Sequence, residues 1–214
     1  MPGLALALCL FWFVSLFVVR SLLQLRRTGS TGIKGFHGRI GSPPWIAGVT
    51  ISLGLLLTPL GPLAAQFQWP GGTLFFTNPI LHALGAICTL VGIFGALAAQ
   101  LTMGASWRIG VDERETTELV TSGLFARVRN PIFSFMGLSL CGLVLLVPNP
   151  LALLTALLTL LGIEIQVRAV EEPYLRATHG QHYERYAAQV GRFVPGLGRC
   201  GDIAGQRPDG VLRG

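Results

Sequence analysis

The chain predicts an all-α integral membrane protein of about five transmembrane helices with a cytosolic helical segment near its C-terminal end. Three observations carry that expectation. From Ile40 to Trp107 there is no Lys, Arg, Asp or Glu, which a soluble domain of ordinary composition does not sustain. Apolar runs suited to about 30 Å of hydrocarbon fall at residues 4–19, 44–63, 79–101, 131–147 and 151–167. The basic residues cluster in alternate loops, as a topology signal does.

In chain order, the first run has no basic residue before it and is followed by Arg20 and Leu22-Leu23 rather than by small residues, so it reads as a retained span and not a cleaved signal peptide. Pro59 and Pro62 interrupt the second run. The fourth and fifth are joined only by Val147-Pro148-Asn149-Pro150, which requires a tight antiparallel hairpin with its two far ends side by side. Beyond it, Val170, Tyr174, Leu175, Tyr183, Tyr186 and Val190 recur among charged residues. That pattern predicts a helix lying against the membrane or the site, interrupted at Gly180 and capping the hairpin. The Gly-rich stretch after Val194 reads as a flexible tail. The chain thus divides into 1–63, two N-terminal spans with a basic loop; 64–195, the functional core; and 196–214, the tail.

Arg20, Arg26, Arg27, Lys34 and Arg39 fall in the first loop, Arg108, Arg114, Arg127 and Arg129 in the third, and the other arginines at or after Arg168. The intervening loops, near 64–78 and 148–150, hold no Lys or Arg. The N-terminus is therefore expected outside and the C-terminus in the cytosol, in what reads as the cytoplasmic membrane. The net charge of +6 fits topology and anionic headgroups, and nothing in the chain resembles a nucleic-acid motif. Cys9, Cys88, Cys141 and Cys200 lack the paired spacing of a zinc site or disulfide framework, so no metal is expected.

The hairpin brings Arg129-Asn130-Pro131 beside the stretch from Glu164 to Glu172. Each piece also has a plain structural reading. Asn130-Pro131 suits a helix start, Arg168 with Glu171-Glu172 suits a solvated helix face, and Glu164 suits either a cavity or the interface. His179 and His182 suit the surface, and Trp107-Arg108 an interfacial belt.

In sequence order the chain has Leu119-Val120-Thr121-Ser122-Gly123-Leu124-Phe125, Arg129-Asn130-Pro131-Ile132-Phe133, an apolar hairpin, Glu171-Glu172-Pro173-Tyr174-Leu175, and His179-Gly180-Gln181-His182-Tyr183-Glu184-Arg185-Tyr186. This order resembles the isoprenylcysteine carboxyl methyltransferase family and its relatives among membrane phospholipid methyltransferases. The resemblance covers roughly 98–195, about half the chain. It implies an integral membrane enzyme that takes a methyl group from S-adenosylmethionine, bound on the cytosolic side under the C-terminal segment, and gives it to a lipid-embedded acceptor. The family's Arg-His-Pro-x-Tyr motif falls on Arg129, Asn130, Pro131, Ile132 and Phe133, implying a cofactor wall. Leu119, Val120 and Phe125 match the preceding cofactor-contacting stretch, and Glu171 matches the glutamate that holds the cofactor. Asn130 stands where the family has His, and Phe125 and Phe133 where it has Tyr. Eukaryotic relatives carry an arginine four residues before the matched glutamate; here Val167 occupies that position, with Arg168 beside it.

The residues fit this chemistry. S-adenosylmethionine bears a sulfonium, an ammonium, a carboxylate and an adenine, and a site for it needs an anion, a cation or N–H donor, and apolar walls. Glu171, Arg129 and Phe125 with Phe133 offer these. Methyl transfer is an in-line displacement that depends on orientation in a water-poor pocket. A carboxylate acceptor is already ionised, and Arg168 is the cation to hold it; a phospholipid amine must lose a proton, and Glu172, Glu164 or His179 are the candidate bases. Arg168 and Glu172 are thus the expected catalytic residues, and the expected acceptor is the carboxylate of an isoprenylcysteine-type molecule. The alternatives are phospholipid amine N-methylation and a non-catalytic membrane carrier or assembly protein on the same scaffold.

Overall fold

The computed structural model describes residues 1–33, 38–108 and 118–200; Lys34, Arg114 and 201–214 of the expectations above lie outside them. Helix α1 spans Pro2–Thr28, α2 Pro43–Phe67, α3 Pro79–Met103, α4 Pro131–Leu146 and α5 Pro150–His179, and a short α6 covers Gln181–Gln189. The five apolar runs are therefore five apolar helices. Of these, α1, α2, α3 and α5 are long and apolar enough to cross a membrane. Helix α4 has 16 residues and reaches only about 24 Å at 1.5 Å per residue, short of a hydrocarbon core of about 30 Å. The 30 residues of α5 extend to about 45 Å, so the helix outruns that core by several turns.

Local sequence sets the helix ends. The Asn78 side chain accepts the N–H groups of Ile80 and Leu81 with Pro79 in the first turn, satisfying donors that a helix start leaves open. Asn149 does the same for α5, accepting from the Ala152 N–H at 2.8 Å, while its amide donates to the Gly61 carbonyl at 2.9 Å. The hairpin tip is thereby pinned to α2. Helix α2 is interrupted at Thr58-Pro59, where the Thr58 hydroxyl donates to the Gly54 carbonyl at 2.7 Å.

The helices pair by backbone approach: α3 lies on α4 and α2 on α5. A Cβ on Gly92 would come within 2.6 Å of the Phe135 carbonyl oxygen, and one on Gly162 within 2.8 Å of the Ile51 nitrogen. Where lipid offers no hydrophobic drive between helices, close packing of small residues takes its place. The two pairs meet α1 at a core that includes Trp12, Leu16, Leu55, Ile93, Met136 and Val167.

Two π turns break the α register, at Val14–Val19 in α1 and Val167–Glu171 in α5. The first leads into Arg20, which is wholly buried. Its guanidinium donates to Gln24 Oε1 at 2.9 Å and to the Gln100 and Gly104 carbonyls at 3.3 and 2.7 Å, and sits 4.4 Å from the Trp107 ring centroid. Carbonyls at the end of α3 thus find an external donor, and the chain leaving α3 is fixed against α1.

After α5 the backbone turns at Gly180, with φ of 51°, and α6 follows, as the interruption at that glycine predicts. The chain then returns across the entry to α4. Val128 and Gly191 form a parallel bridge, Arg129 N–H donates to the Gly191 carbonyl at 2.8 Å, and Asn130 N–H to the Arg192 carbonyl at 3.1 Å. Residues 196–200 continue along this path. Arg192 N–H donates to the Leu197 carbonyl at 2.8 Å and Cys200 N–H to the Ala187 carbonyl at 3.0 Å, so this part of the Gly-rich stretch is folded onto α6.

Candidate active site

A cavity of about 560 Å³ opens among the helices at the Arg129–Glu172 end, within the range of small-molecule sites. Leu119, Val120, Phe125, Arg129, Asn130, Pro131, Ile132, Phe133, Glu171 and Glu172 all line it. The structure brings Glu172 and every sequence-predicted cofactor-binding residue to this cavity and leaves Arg168 out of it. The cavity also continues between the helices, where Phe13 and Phe17 of α1, Ile51, Leu55 and Leu56 of α2 and Met136 of α4 make an apolar end. Phe13, Ser52 and Leu56 line the cavity and are also exposed, Leu56 by 70%. They set a mouth between α1 and α2 on the outer surface of the bundle.

The two adjacent carboxylates have different fates. Glu172 is buried, and its Oε1 accepts from Arg129 Nη2 at 2.9 Å and from Arg192 Nε at 2.6 Å, while Oε2 accepts from Arg192 Nη2 at 3.0 Å. Arg176 stands 3.8 Å away. Hydrogen bonds and the Glu172 charge push the Arg192 pKa above its ordinary value. Arg129 in turn donates to the Ala187 carbonyl at 2.9 Å, the Gly198 carbonyl at 3.1 Å and the Val190 carbonyl. Its four terminal N–H groups are engaged, which leaves Nε–H, buried and without a partner among the described residues. Glu172 and Arg129, expected respectively as a catalytic group and as the cofactor's cationic partner, form a clasp that closes the C-terminal strap over the start of α4.

Glu171 is the open carboxylate. Its hydrogen-bond partner among the described residues is Gln166 Nε2, at a long 3.4 Å. That contact joins positions five apart and follows from the π turn, in which the i→i+5 spacing brings such residues together. The same turn explains Arg168. An unbroken α-helix would put residues 168 and 171 on one face, but the wide turn at Val167–Glu171 takes them out of register. Arg168 lies outside the cavity, its side chain 56% exposed, and pairs with Glu164. Glu164 and His179 lie outside the cavity as well.

Aromatic side chains from the C-terminal segment complete the wall. The Tyr186 hydroxyl donates to the Phe125 carbonyl at 2.6 Å and holds the 3₁₀ turn Gly123–Ala126 in place. Burial pushes the Tyr183 pKa up to about 12, with the Glu172 charge adding to it, and burial raises Tyr186 as well. Both phenols stay protonated near neutral pH, so they are donors and walls, not bases. Asn130 takes the place of a histidine with a structural bond, donating from its side-chain amide to the Arg192 carbonyl at 3.2 Å. Sequence reasoning did not single out Gln100, Gln166, Arg192, Tyr183 or Tyr186 as site residues. For Gln100 and Gln166 the signal was present: an amide within an apolar span is costly to bury unless it serves a cavity or partner. Among the described residues no group of His, Cys, Asp and Glu side chains is arranged to hold a metal ion.

Residues 80–182 match the family described as phospholipid methyltransferase. The fold is similar to that of a eukaryotic intramembrane Ras methyltransferase, isoprenylcysteine carboxyl methyltransferase, with a TM-score of 0.54 and 23% identity. That similarity covers 88% of this chain and 63% of the other, so this chain spans under two thirds of its length. No curated protein sequence matches.

Proposed function

We propose that this protein, residues 80–182 of which match the family described as phospholipid methyltransferase, is an integral membrane S-adenosylmethionine-dependent methyltransferase acting on a lipid-like acceptor that enters sideways from the bilayer. The observation that carries the reading is a single cavity with an open carboxylate and aromatic walls at one end and an apolar, outward-opening channel at the other. The positive-inside distribution supports placing the polar end in the cytosol.

The residues fit the cofactor. Glu171, held among the described residues by one long hydrogen bond, retains accepting capacity for an ammonium. Phe125, Phe133 and Tyr186 offer faces for adenine. The cofactor supplies a sulfonium-bound methyl group open to in-line displacement. The protein's own part is orientation and exclusion of water: the Glu172 clasp fixes the strap and the start of α4, and the buried Phe125 turn closes the wall.

The acceptor's tail fits the channel lined by Phe13, Phe17, Leu55 and Leu56. A carboxylate acceptor of the isoprenylcysteine type would need a cation other than Arg168, which is not on the cavity. A phospholipid amine would need a base, and of the three candidates Glu172 is engaged in the clasp while Glu164 and His179 are off the cavity.

The test is binding followed by turnover. S-adenosylhomocysteine at a hundred times its Kd should stabilise the detergent-solubilised protein by about 2.7 kcal/mol, seen as a raised Tm. Incubation of membranes with methyl-labelled cofactor should then label a lipid fraction, with methanol released by alkali marking an ester. No Tm shift at saturating ligand would favour a carrier or assembly role on the same scaffold.

A further inference from the structure

Resting on the methyltransferase reading, we infer that the acceptor carries an N–H or O–H group where its apolar tail joins its polar end, and that Gln100 recognises this group through Oε1. Gln100 lies in the last turn of α3, is 3% exposed and lines the cavity. An amide inside an apolar span is costly to bury unless both of its ends are met. One end is met: Nε2 donates to the Leu16 carbonyl at 3.2 Å. That bond also fixes which end is which, because a carbonyl needs a donor and the nitrogen is the amide atom that supplies one. The other end, Oε1, is buried and has no partner among the described residues. A buried acceptor left unmet on a cavity wall points to a ligand that meets it.

The place of Gln100 on the cavity tells which part of the acceptor it meets. On one side its amide is tied to Leu16, the residue before Phe17 of the apolar end. On the other its backbone carbonyl accepts from Arg20 at 3.3 Å, and Arg20 lies against Trp107, a cavity residue of the chain leaving α3. A tail lodged against Phe13 and Phe17 therefore brings to Gln100 the atoms that join it to the reacting group. Oε1 selects a donor among those atoms, an amide N–H or a hydroxyl. An ester-linked lipid offers acceptor oxygens at that point and leaves Oε1 unpaired. A site built to hydrogen-bond one group rejects the analogue that lacks it, because its own buried polar atom is then stranded.

Two amphiphiles separate this role from a structural one: S-dodecyl-N-acetylcysteine, and its ester analogue in which oxygen replaces the amide N–H. They share tail, thioether, carboxylate and shape, and differ at the donor. Each is titrated into the detergent-solubilised full chain with S-adenosylhomocysteine bound; partition into detergent is common to parent and variants and cancels between them. The amide should bind the parent about fivefold or more tighter than the ester. Gln100→Leu should remove that preference. Gln100→Glu, which loses the donor to Leu16 but keeps an acceptor oxygen, should retain it, and decides the matter with the parent if Gln100→Leu does not fold. Loss of the preference in both variants assigns Gln100 to the joint between α1 and α3 alone and overturns the inference. Equal binding of the two amphiphiles by the parent, binding of neither, or a preference that survives in Gln100→Leu overturns it as well. In each of these cases the methyltransferase reading stands so long as S-adenosylhomocysteine raises the parent's Tm; failure of the parent to bind that nucleoside overturns the reading, and the inference with it.

Discussion

Exchanging each of the neighbouring carboxylates for its amide should separate ligand binding from stability. In Glu172→Gln the buried Arg129 loses its counter-charge; the two side chains are 2% and 4% exposed, so little solvent is present to compensate. Removing one partner of such a pair costs about 3–5 kcal/mol, which at roughly 2–4 °C per kcal/mol for a chain of this size lowers Tm by about 6–20 °C. Among the described residues, Glu171→Gln forfeits the long contact to Gln166 and the charge interaction with Arg108, and it should leave Tm within about 2 °C of the parent. Its ligand affinity should instead fall about tenfold or more, because a charged hydrogen bond contributes roughly 1.5–3 kcal/mol and 1.4 kcal/mol is a factor of ten. The assay is thermal unfolding in detergent with and without S-adenosylhomocysteine, alongside calorimetric binding well below each variant's Tm. The assignment fails if Glu172→Gln melts with the parent, or if Glu171→Gln melts early and binds normally.

Three further outcomes follow from the placement of other residues. Arg168→Lys should leave turnover on membrane lipid extract within about twofold and Tm unchanged, since an exposed pair with Glu164 contributes at most about 1 kcal/mol; a large loss of turnover with intact cofactor binding would return Arg168 to the acceptor site. Leu56→Trp, at the exposed rim of the channel, should raise KM for the lipid acceptor several-fold while cofactor affinity stays constant, and an unchanged KM would move the entry elsewhere. A reporter fused after Gly214 should be cytosolic and one inserted at Gly71-Gly72 should be outside; the reverse would refute the inferred orientation.

Much of the site was legible in the sequence because its determinants are local. Pro131 and Asn149 mark helix starts, and the three residues between α4 and α5 force the hairpin that brings residues 129–133 and 171–172 together. The helical C-terminal segment and its break at Gly180 follow from periodicity and from a residue that tolerates positive φ. The strap was not legible: Gly196 and Gly198 fall in the stretch that reads as flexible, yet the Gly198 carbonyl accepts from the guanidinium of Arg129, and the Gly191 carbonyl, just ahead of that stretch, accepts from its backbone N–H. A carbonyl acceptor is common to every residue type, so composition carries no trace of such a role.

The two carboxylates illustrate the same limit at the site itself. Sequence spacing placed Arg168 and Glu171 on one helix face. That idea assumes 3.6 residues per turn through the end of α5. Hydrogen bonding at Val167–Glu171 follows the i→i+5 pattern instead, which stacks Gln166 on Glu171, leaves Arg168 in solvent and turns Glu172 toward Arg129 and Arg192. Nothing in Val-Arg-Ala-Val-Glu marks this, because the turn is set by what lies on either side. Val167 is wholly buried in the core against neighbouring helices, and Glu172 is anchored by arginines from two distant segments. Between these fixed points the widened turn lets both anchors be met while a carboxylate faces the cavity.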